Sequence, residues 1–502
     1  MKPDLASLTH RTLSGMAWVA WGSGVMAVLK IAVLVLLTRL LSPADFGVVS
    51  AALLVIVFAL TFSQLGLGPA LVQRPELHPR HVSTAFFASS TFGLIAGALV
   101  WLLAPLISQF FRMENLAPVV RVLALLFPIM GFSAVAESLL QRELRFRILA
   151  NADVMTYAVG YGLGVVLALL GWGMWSLVAA HLLQSAMRAA ILLSVEPPKL
   201  RPGPTWASFS ELMNYGVGQS AGRIGVFLGN QADNLVVGRF LGATALGLYS
   251  RAYQLMAVPT ALLGDVLDRV LFPTMARVQD DPLRLASAYL QGTAFVALVT
   301  LPAGVVAALL APELVLVAFG SKWAALVPPF QVLALGMMFR TSYRMSDSLS
   351  RATGKVYRRA WRQALYAASV FLGAWVGQFW GVTGVAIGVL VALLINYLLM
   401  AQLSLSVGGI TWLRFLAVQL PAVRLTLIVG GVTFAVAAGS RHLNLPPVVG
   451  LVAGSAAALG AGLLAAWLSP KLALGEHGMR IRETLRSYWR ARWRPAPIRE
   501  SA

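Results

Sequence analysis

Apolar runs of about 20 residues recur from one end of the chain to the other, and they restrict the fold more than any other feature. An α-helix crosses the hydrocarbon core of a bilayer with about 20 apolar residues. The sequence therefore predicts an all-α integral membrane protein with about fourteen transmembrane helices. Their approximate limits are residues 14–41, 45–70, 83–108, 117–139, 151–171, 174–194, 212–238, 246–273, 287–311, 327–350, 361–379, 382–406, 418–440 and 446–468.

The composition agrees with burial in lipid rather than in a soluble core. Of the 502 residues, 58% are apolar and 12% are charged, whereas soluble domains carry about 25% charged residues. The first apolar run, residues 15–41, is too long for a signal peptide, and no small-residue cleavage site follows it. The absence of cysteine excludes disulfides, thiolate metal sites and cysteine nucleophiles.

The formal net charge is +20, and membrane topology accounts for it. If the N-terminus is cytoplasmic, most lysine and arginine residues outside the spans fall in the cytoplasmic loops and in the tail after residue 470. The opposite loops carry few, namely Arg39, Arg112, Arg239, Lys322 and Arg441. Because lysine and arginine concentrate in cytoplasmic loops, we expect both termini in the cytoplasm and an even number of spans. Nucleic-acid binding is the weaker explanation of this charge.

An internal repeat joins distant parts of the chain. Residues 39–50 read Arg-Leu-Leu-Ser-Pro-Ala-Asp-Phe-Gly-Val-Val-Ser, and residues 239–250 read Arg-Phe-Leu-Gly-Ala-Thr-Ala-Leu-Gly-Leu-Tyr-Ser. Arg, Gly and Ser align in these segments without gaps. Two shorter matches follow in the same order: Glu137-Ser-Leu with Asp347-Ser-Leu, and Trp172-Gly173 with Trp380-Gly381.

The repeat predicts two six-helix lobes, because spans 1–6 and 7–12 become copies of one unit. We place the lobes at residues 1–200 and 201–410, an appended helix pair at 411–470 and a basic cytoplasmic tail at 471–502. Six is even, so the copies share one orientation and are related by a pseudo-twofold axis along the membrane normal. Such repeats place a substrate site between the halves, near the bilayer midplane.

Several segments, taken together, resemble Wzx-type polysaccharide flippases, which export O-antigen and exopolysaccharide precursors. The segments are 65–74 (Leu-Gly-Leu-Gly-Pro-Ala-Leu-Val-Gln-Arg), 140–147 (Leu-Gln-Arg-Glu-Leu-Arg-Phe-Arg), 233–242 (Asp-Asn-Leu-Val-Val-Gly-Arg-Phe-Leu-Gly), 248–255 (Leu-Tyr-Ser-Arg-Ala-Tyr-Gln-Leu) and 271–273 (Leu-Phe-Pro) with Arg277. The resemblance covers spans 1–12. The family belongs to the MOP flippase superfamily, together with the lipid II flippases and the MATE exporters.

The resemblance implies two six-helix lobes facing a central cavity in the bacterial inner membrane. It also implies a substrate in which an oligosaccharide is linked through diphosphate to a polyprenol, for lipopolysaccharide or exopolysaccharide biosynthesis. Such proteins work by alternating access, driven by an ion gradient (H⁺ or Na⁺) or by the membrane potential. We expect a monomeric transport unit in contact with membrane lipids, with no cofactor and no nucleic-acid partner.

Polar residues inside predicted spans are the candidate substrate contacts. A charge at the bilayer centre costs about 3 kcal/mol, so it usually faces a cavity or a partner. Lys30 lies midway through span 1, and Gln219, Arg223, Asn230 and Asn234 share a narrow arc of span 7. Arginine binds phosphate in a planar, bidentate manner, which favours Arg223 as a diphosphate contact. The alternative for Lys30 and Arg223 is an ion pair with another helix.

Span 10 and the acidic residues add a second group of candidates. Arg340 is a candidate for a cationic cavity wall. Asp233, Asp265, Asp268 and Asp347 are candidates either for ion coupling or for structural ion pairs with nearby arginines. For Asp347 we favour the structural interpretation, because it aligns with an acidic residue of the first repeat.

Catalytic motifs lack the context that they require. Residues 218–222 match G-x-S-x-G, but they lie inside a predicted span instead of a strand-to-helix turn. Gly354-Lys355 lacks the other residues of a phosphate-binding loop, and no zinc-binding spacing occurs. The sequence therefore does not predict an enzyme or a metal site.

Two other functions compete with a flippase. A MATE-like drug or cation antiporter needs an acidic cavity, whereas the candidates Lys30, Arg223 and Arg340 favour an anion. A membrane polysaccharide polymerase, ligase or glycosyltransferase usually has a sizeable extracytoplasmic loop, and all predicted outward loops are short. The six-span repeat also fits alternating access better.

Overall fold

The computed structural model describes residues 24–63, 66–74, 76–198, 200, 201, 203–471, 475 and 479. Inside the helices, the described part excludes the side chains of residues 61–63, 214–228, 262, 265, 266, 268–274 and 356. Four predicted site residues therefore have side chains outside the description, namely Gln219, Arg223, Asp265 and Asp268. The basic tail after residue 479 also lies outside it.

The described residues before 196 form eight helices. Helix α1 covers residues 24–40. It is followed by α2 (Pro43–Ser63), α3 (Leu67–Gln73), α4 (Pro79–Phe111), α5 (Leu116–Leu123), α6 (Leu126–Arg142), α7 (Phe146–Leu169) and α8 (Met174–Val195).

Nine further α-helical elements follow in the described residues after 196. They are α9 (Trp206–Arg277), α10 (Pro282–Leu309), α11 (Ala311–Ala318), α12 (Val327–Leu335), α13 (Met337–Ala352), α14 (Val356–Gly377), α15 (Gly381–Gly408), α16 (Trp412–His442) and α17 (Pro447–Leu468). Short 3₁₀ turns at Ser321–Leu326 and Gln378–Trp380 precede α12 and α15.

The all-helical membrane fold predicted from sequence is confirmed. Within the described residues there is no strand, and 10 stretches have the length and hydropathy of a membrane span. One of these, Tyr357–Gly408, contains both α14 and α15. The count of fourteen spans stays a prediction.

Element α9 covers 72 residues and consists of two helices, corresponding to predicted spans 7 and 8, that meet at a kink at Gly242. The backbone there has φ 85° and ψ −175°, a region that is essentially restricted to glycine. The kink lies between the two predicted spans, 212–238 and 246–273. Glycine thus changes the direction of the chain here without an intervening loop.

The chain divides into two compact units. The first comprises the described residues up to Ser250, with Ala318–Trp323 and Gln378–Val382. In it α4 packs on α6 and α7 on α8. Cβ atoms added at Gly93 and Gly131 would lie 2.7 Å and 2.6 Å from carbonyl oxygens of the facing helix. Small residues of this kind let transmembrane backbones approach each other closely.

The second unit comprises Arg251–Val317, Ala324–Gly377 and the described residues from Thr383 onward. Its helix α10 packs against α13 and α16, and α16 packs against α17. Arg441 near the end of α16 donates two hydrogen bonds, of 2.7 Å and 2.8 Å, to the carboxylate of Glu313 in α11. The predicted domain limits at residues 200, 410 and 470 stay predictions.

Inside the first unit, the two copies of the 39–50 repeat contact each other reciprocally. A Cβ on Gly47 would overlap the carbonyl of Ala243, and a Cβ on Gly247 would overlap the carbonyl of Pro43. The Oγ atoms of Ser50 and Ser250 lie 3.4 Å apart. Each contact recurs when both partners shift by 200 positions, which is the pattern that a twofold axis produces. We call these residues the twofold contact.

The first residues of the two repeat copies, Arg39 and Arg239, also have corresponding contacts. Arg39 donates a 3.3 Å hydrogen bond to the carbonyl of Ala318, while Arg239 lies over the ring of Phe110 at 5.2 Å. The indole of Trp323 donates a 2.8 Å hydrogen bond to the carbonyl of Thr38. The junction between α1 and α2 therefore contacts the end of α11 and the residues after it, and the corresponding point in the middle of α9 contacts the end of α4.

Candidate functional site

The first unit contains a cavity of about 460 Å³ among α2, α3, α4, α6 and α8. Most of its wall is apolar, and its polar groups include Ser89, Glu137, Ser138, Gln141 and Arg188. The glycines at the α4–α6 contact form part of the lining, so backbone replaces side chains there. This volume lies within the range of about 300–1,000 Å³ that small-molecule sites occupy.

Charged side chains from three helices meet at the polar end of the cavity. Arg188 of α8 donates to both carboxylate oxygens of Glu137 in α6, at 2.8 Å and 3.1 Å. Its Nε donates to Asp153 of α7 at 2.7 Å. The amide of Gln141 donates to Glu137 at 3.2 Å. We call these four residues the α6–α8 cluster; its two carboxylates and one guanidinium carry a net charge of −1.

The second unit holds the repeat-related arrangement, with the opposite net charge. Asp347 occupies the position of Glu137 and pairs with Arg351 at 3.1 Å and with Arg359. One carboxylate and two guanidinium groups give +1. Gln363 and Asn396 form a neutral 3.3 Å hydrogen bond between α14 and α15, where the first unit has Asp153 and Arg188.

Backbone geometry supports this alignment of the two halves. Leu144 follows α6 with φ 58°, and Gly354 follows α13 with φ 69°. These residues are 210 positions apart, as are Glu137 and Asp347. The same left-handed turn therefore ends the corresponding helix in each half.

A second polar group inside a predicted span is Arg340, in the second unit. It lies in the first turn of α13, near the midpoint of predicted span 327–350. Its guanidinium donates to the hydroxyl of Tyr253 and lies 4.9 Å from the centre of that ring. Tyr343 and Tyr366 also interact with it electrostatically. Among the described residues, no carboxylate forms an ion pair with Arg340.

The structure separates the other predicted substrate contacts. Lys30 and Asn230 are exposed on their helices. Within the described part of the chain, Lys30 has no ion pair. The amide of Asn234 donates to Gln231 at 3.0 Å, and its own oxygen is buried without a hydrogen bond from any described residue. The shared cavity face of α9 stays a prediction.

The two predicted acidic residues with described side chains have local partners. Asp233 is buried and accepts a 2.6 Å hydrogen bond from Tyr249. Asp347 is held by Arg351 and Arg359, an arrangement that fits the structural interpretation made from sequence. Their roles in ion coupling stay predictions.

Sequence reasoning missed Asp153 and Arg188. Each is a single charged residue within a predicted apolar span. This isolation was the available signal of a functional or structural role, because such residues usually have a partner or line a cavity. Arg188 is 35 positions from Asp153 and 51 positions from Glu137 along the chain. Their contact depends on the rotation of three helices, which the apolar pattern of one helix does not specify.

Comparison with known proteins agrees with the Wzx-type resemblance. The profile of a family described as "Polysaccharide biosynthesis protein" matches residues 36–328. The lipopolysaccharide biosynthesis protein WzxC of Escherichia coli (strain K12) is 27% identical over 399 residues, which cover 78% of this chain and 80% of WzxC.

Two solved structures share the fold. The lipid II flippase MurJ, in an inward closed conformation, superposes with a TM-score of 0.70 at 13% identity and covers 90% of this chain and 99% of its own. An inward-facing MATE family multidrug resistance transporter of the MOP superfamily has a TM-score of 0.60 at 18% identity, covering 78% and 94%. At these identities the likeness concerns the fold alone.

Proposed function

Because the chain belongs to the polysaccharide biosynthesis protein family, we propose that it translocates a polyprenyl-diphosphate-linked oligosaccharide across the bacterial inner membrane. The transported head group would serve lipopolysaccharide or exopolysaccharide assembly. The similarity to WzxC and the fold shared with MurJ support a flippase. The chain acts as a transporter, and we assign it no catalytic step.

Arg340 is the observation that carries the proposal. A guanidinium inside a membrane span is costly unless an anion or hydrogen bonds compensate it. The described residues supply Arg340 with a tyrosine hydroxyl and no carboxylate. A diphosphate would supply a negative charge to this guanidinium, and its oxygens fit the planar N–H groups of arginine. Arg340 would thus bind the one chemical group that polyprenyl-diphosphate substrates share, whatever their sugars.

The transport cycle would proceed by alternating access. We infer cytoplasmic N- and C-termini from the positions of the basic loops. In that orientation the twofold contact lies at the outward end, and the head group enters from the cytoplasmic side. Parting of the twofold contact would then release the head group outward. One chain is the transport unit, and a gradient of H⁺ or Na⁺, or the membrane potential, drives the cycle.

A MATE-like antiporter for cationic drugs is the less favoured candidate. Its cargo would be repelled by Arg340, which has no carboxylate partner among the described residues, since like charges in a low-dielectric site interact strongly. The α6–α8 cluster is the feature in its favour, because that cluster is net negative. Translocation assays with both kinds of cargo separate the two functions.

The experiment is a translocation assay on Arg340 variants in proteoliposomes. We expect Arg340→Ala to lose at least about tenfold of the initial rate with a lipid-linked oligosaccharide, because the diphosphate loses a charged partner. Arg340→Lys should retain part of the rate, since it keeps the charge but not the bidentate geometry.

Arg121→Ala is the matched control, because Arg121 also lies in a membrane helix and over an aromatic ring, that of Trp101 at 5.0 Å. It should translocate at the wild-type rate. A wild-type rate in folded, inserted Arg340→Ala would refute the assignment of the diphosphate to Arg340.

A further inference from the structure

We propose that the cavity of the first unit binds one uncharged or amino-substituted sugar ring of the head group, and that the α6–α8 cluster rejects acidic sugars. This inference rests on the proposed function and adds a specificity site to it. The cavity would recognise a sugar of the substrate, whereas Arg340 would bind its diphosphate.

The size and lining of the cavity favour a sugar ring over a bare ion. A volume of about 460 Å³ greatly exceeds the space that a single ion requires. Sugar rings combine apolar C–H faces with hydroxyl groups at their edges. The cavity offers the same combination, with Phe127, Met130 and Val135 on its wall and polar groups at one end.

Hydrogen-bonding capacity remains at the polar end. Arg188 uses one N–H of each terminal nitrogen on Glu137, and the second N–H of each has no partner among the described residues. The hydroxyl of Ser138 donates to the carbonyl of Ala134, so its lone pairs can accept a hydrogen bond. The cluster can therefore both donate to and accept from sugar hydroxyls.

The charge of the cluster excludes anionic ligands. Arg188 is the cluster's one cation, and two carboxylates already hold it. A third carboxylate, from a uronic acid, or a diphosphate would add to a site of net charge −1. A further negative charge at this short range is repelled, whereas a neutral hydroxyl avoids the repulsion and an ammonium group is attracted.

The second half of the chain provides an internal comparison. Gly97 packs on the carbonyl of Ala124 in the first half, as Gly304 packs on that of Ala334 in the second. In this alignment Gly93 and Gly131, which line the cavity, correspond to the buried Thr300 and Thr341. Ala134 corresponds to Arg344. At these described positions the second half therefore carries larger side chains than the first, and its described charge cluster is net positive.

The first test measures binding of three probes to purified protein in nanodiscs by saturation-transfer NMR. The probes are methyl glycosides of glucosamine, glucose and glucuronic acid. We expect affinity to fall in that order. Asp153→Asn and Gln141→Arg each change the cluster from −1 to 0, and we expect each to reduce the preference for glucosamine over glucuronate by about tenfold.

These variants keep the fold for different reasons. Asp153 does not line the cavity, so Asp153→Asn leaves the shape of the cavity intact. The second copies the Asp347–Arg351 pair of the other half. Glu143→Gln removes an equal charge from the end of α6 outside the cavity, and the preference should stay at the wild-type value. Equal binding of all three sugars by the wild type, or preferences unchanged in both cluster variants, would overturn the inference.

The second test fills the cavity and measures translocation. We expect Ala134→Leu to bind the glycosides at least about tenfold more weakly and to slow translocation of a substrate with a neutral head group. Ala158→Leu adds the same bulk at an exposed site on α7 and should change neither.

The two proposals fail in different ways. A wild type that translocates no lipid-linked oligosaccharide contradicts the proposed function. A wild type that translocates, with an Ala134→Leu variant that binds and translocates as well as it does, contradicts the sugar site alone.

Discussion

Gly47 shows at the residue scale why the twofold contact tolerates no side chain. The first carbon of any side chain would overlap the backbone carbonyl of Ala243. A backbone obstacle cannot rotate away as a side chain can. We expect Gly47→Ala to push the two repeat copies apart and to lower stability by about 1–3 kcal/mol, measured as a lower midpoint of thermal unfolding in detergent.

Gly162→Ala is the control for this substitution. Nothing lies within 4 Å of a Cβ at Gly162 in α7, and alanine favours a helix over glycine by about 0.5–1 kcal/mol. Its unfolding midpoint should equal or exceed that of the wild type. Equal midpoints for Gly47→Ala and Gly162→Ala would contradict the close contact.

Single residues were the least predictable part of the site. Sequence alone singled out Arg340 as a candidate, because a charge inside an apolar span is visible without knowledge of its neighbours, and its role stays a prediction. It also matched Glu137 with Asp347. It did not find Asp153 and Arg188 as partners, because helices that are apolar on most faces carry no signal for their rotation about the axis. The charge difference between the halves therefore became visible only in the structure.

Gly242 governs the shape of the longest element. Its φ of 85° and ψ of −175° suit glycine alone, and no atom lies within 4 Å of a Cβ placed there. Strain, not collision, therefore opposes a side chain. We expect Gly242→Ala to cost about 1–3 kcal/mol, again seen in the unfolding midpoint. Gly431→Ala, at an equally open position in regular helix α16, should not lower it.

The Glu313–Arg441 pair links α11 to α16 in the second unit. Glu313 is buried, while Arg441 is partly exposed. Burial raises the pKa of Glu313, but the hydrogen bonds from Arg441 outweigh it and leave the pKa below its usual value. Glu313→Gln keeps the shape of the side chain and loses the charge, so we expect a loss of about 1–2 kcal/mol near neutral pH.

The pH dependence of that loss follows from the direction of the shift. A carboxylate with a lowered folded-state pKa stabilises the protein above its unfolded pKa, about 4.3 for glutamate, and loses that contribution as the pH falls through the folded value. The difference in unfolding midpoint between wild type and Glu313→Gln should thus shrink below about pH 4. A difference that is constant from neutral to acid pH would contradict the ion pair.

Helix positions were largely predictable, and their connections were not. Length and hydropathy placed predicted spans such as 174–194 and 446–468 close to α8 and α17. The predicted spans 212–238 and 246–273 match the two helical parts of α9 on either side of Gly242, but the absence of a loop between them was not predicted. Whether such a glycine ends a helix or kinks it depends on what packs around it.

Opening at the twofold contact, which the proposed transport cycle requires, can be tested through the natural absence of cysteine. The Oγ atoms of Ser50 and Ser250 are 3.4 Å apart, so cysteines at both positions should form a disulfide with a little side-chain adjustment. We expect oxidation of the Ser50→Cys, Ser250→Cys double variant to stop translocation and reductant to restore it. Each single variant should be unaffected by oxidant. Undiminished translocation by the oxidised, crosslinked protein would refute opening at the twofold contact.

The most direct measurement of the central claim is cargo translocation by the wild type in proteoliposomes. A fluorescent polyprenyl-diphosphate oligosaccharide and a fluorescent organic cation are followed in matched vesicles, with and without an imposed H⁺ or Na⁺ gradient. We predict protein-dependent translocation of the oligosaccharide lipid, accelerated by a gradient, and no movement of the cation. Efflux of the cation with no translocation of the oligosaccharide lipid would contradict the account and favour the antiporter.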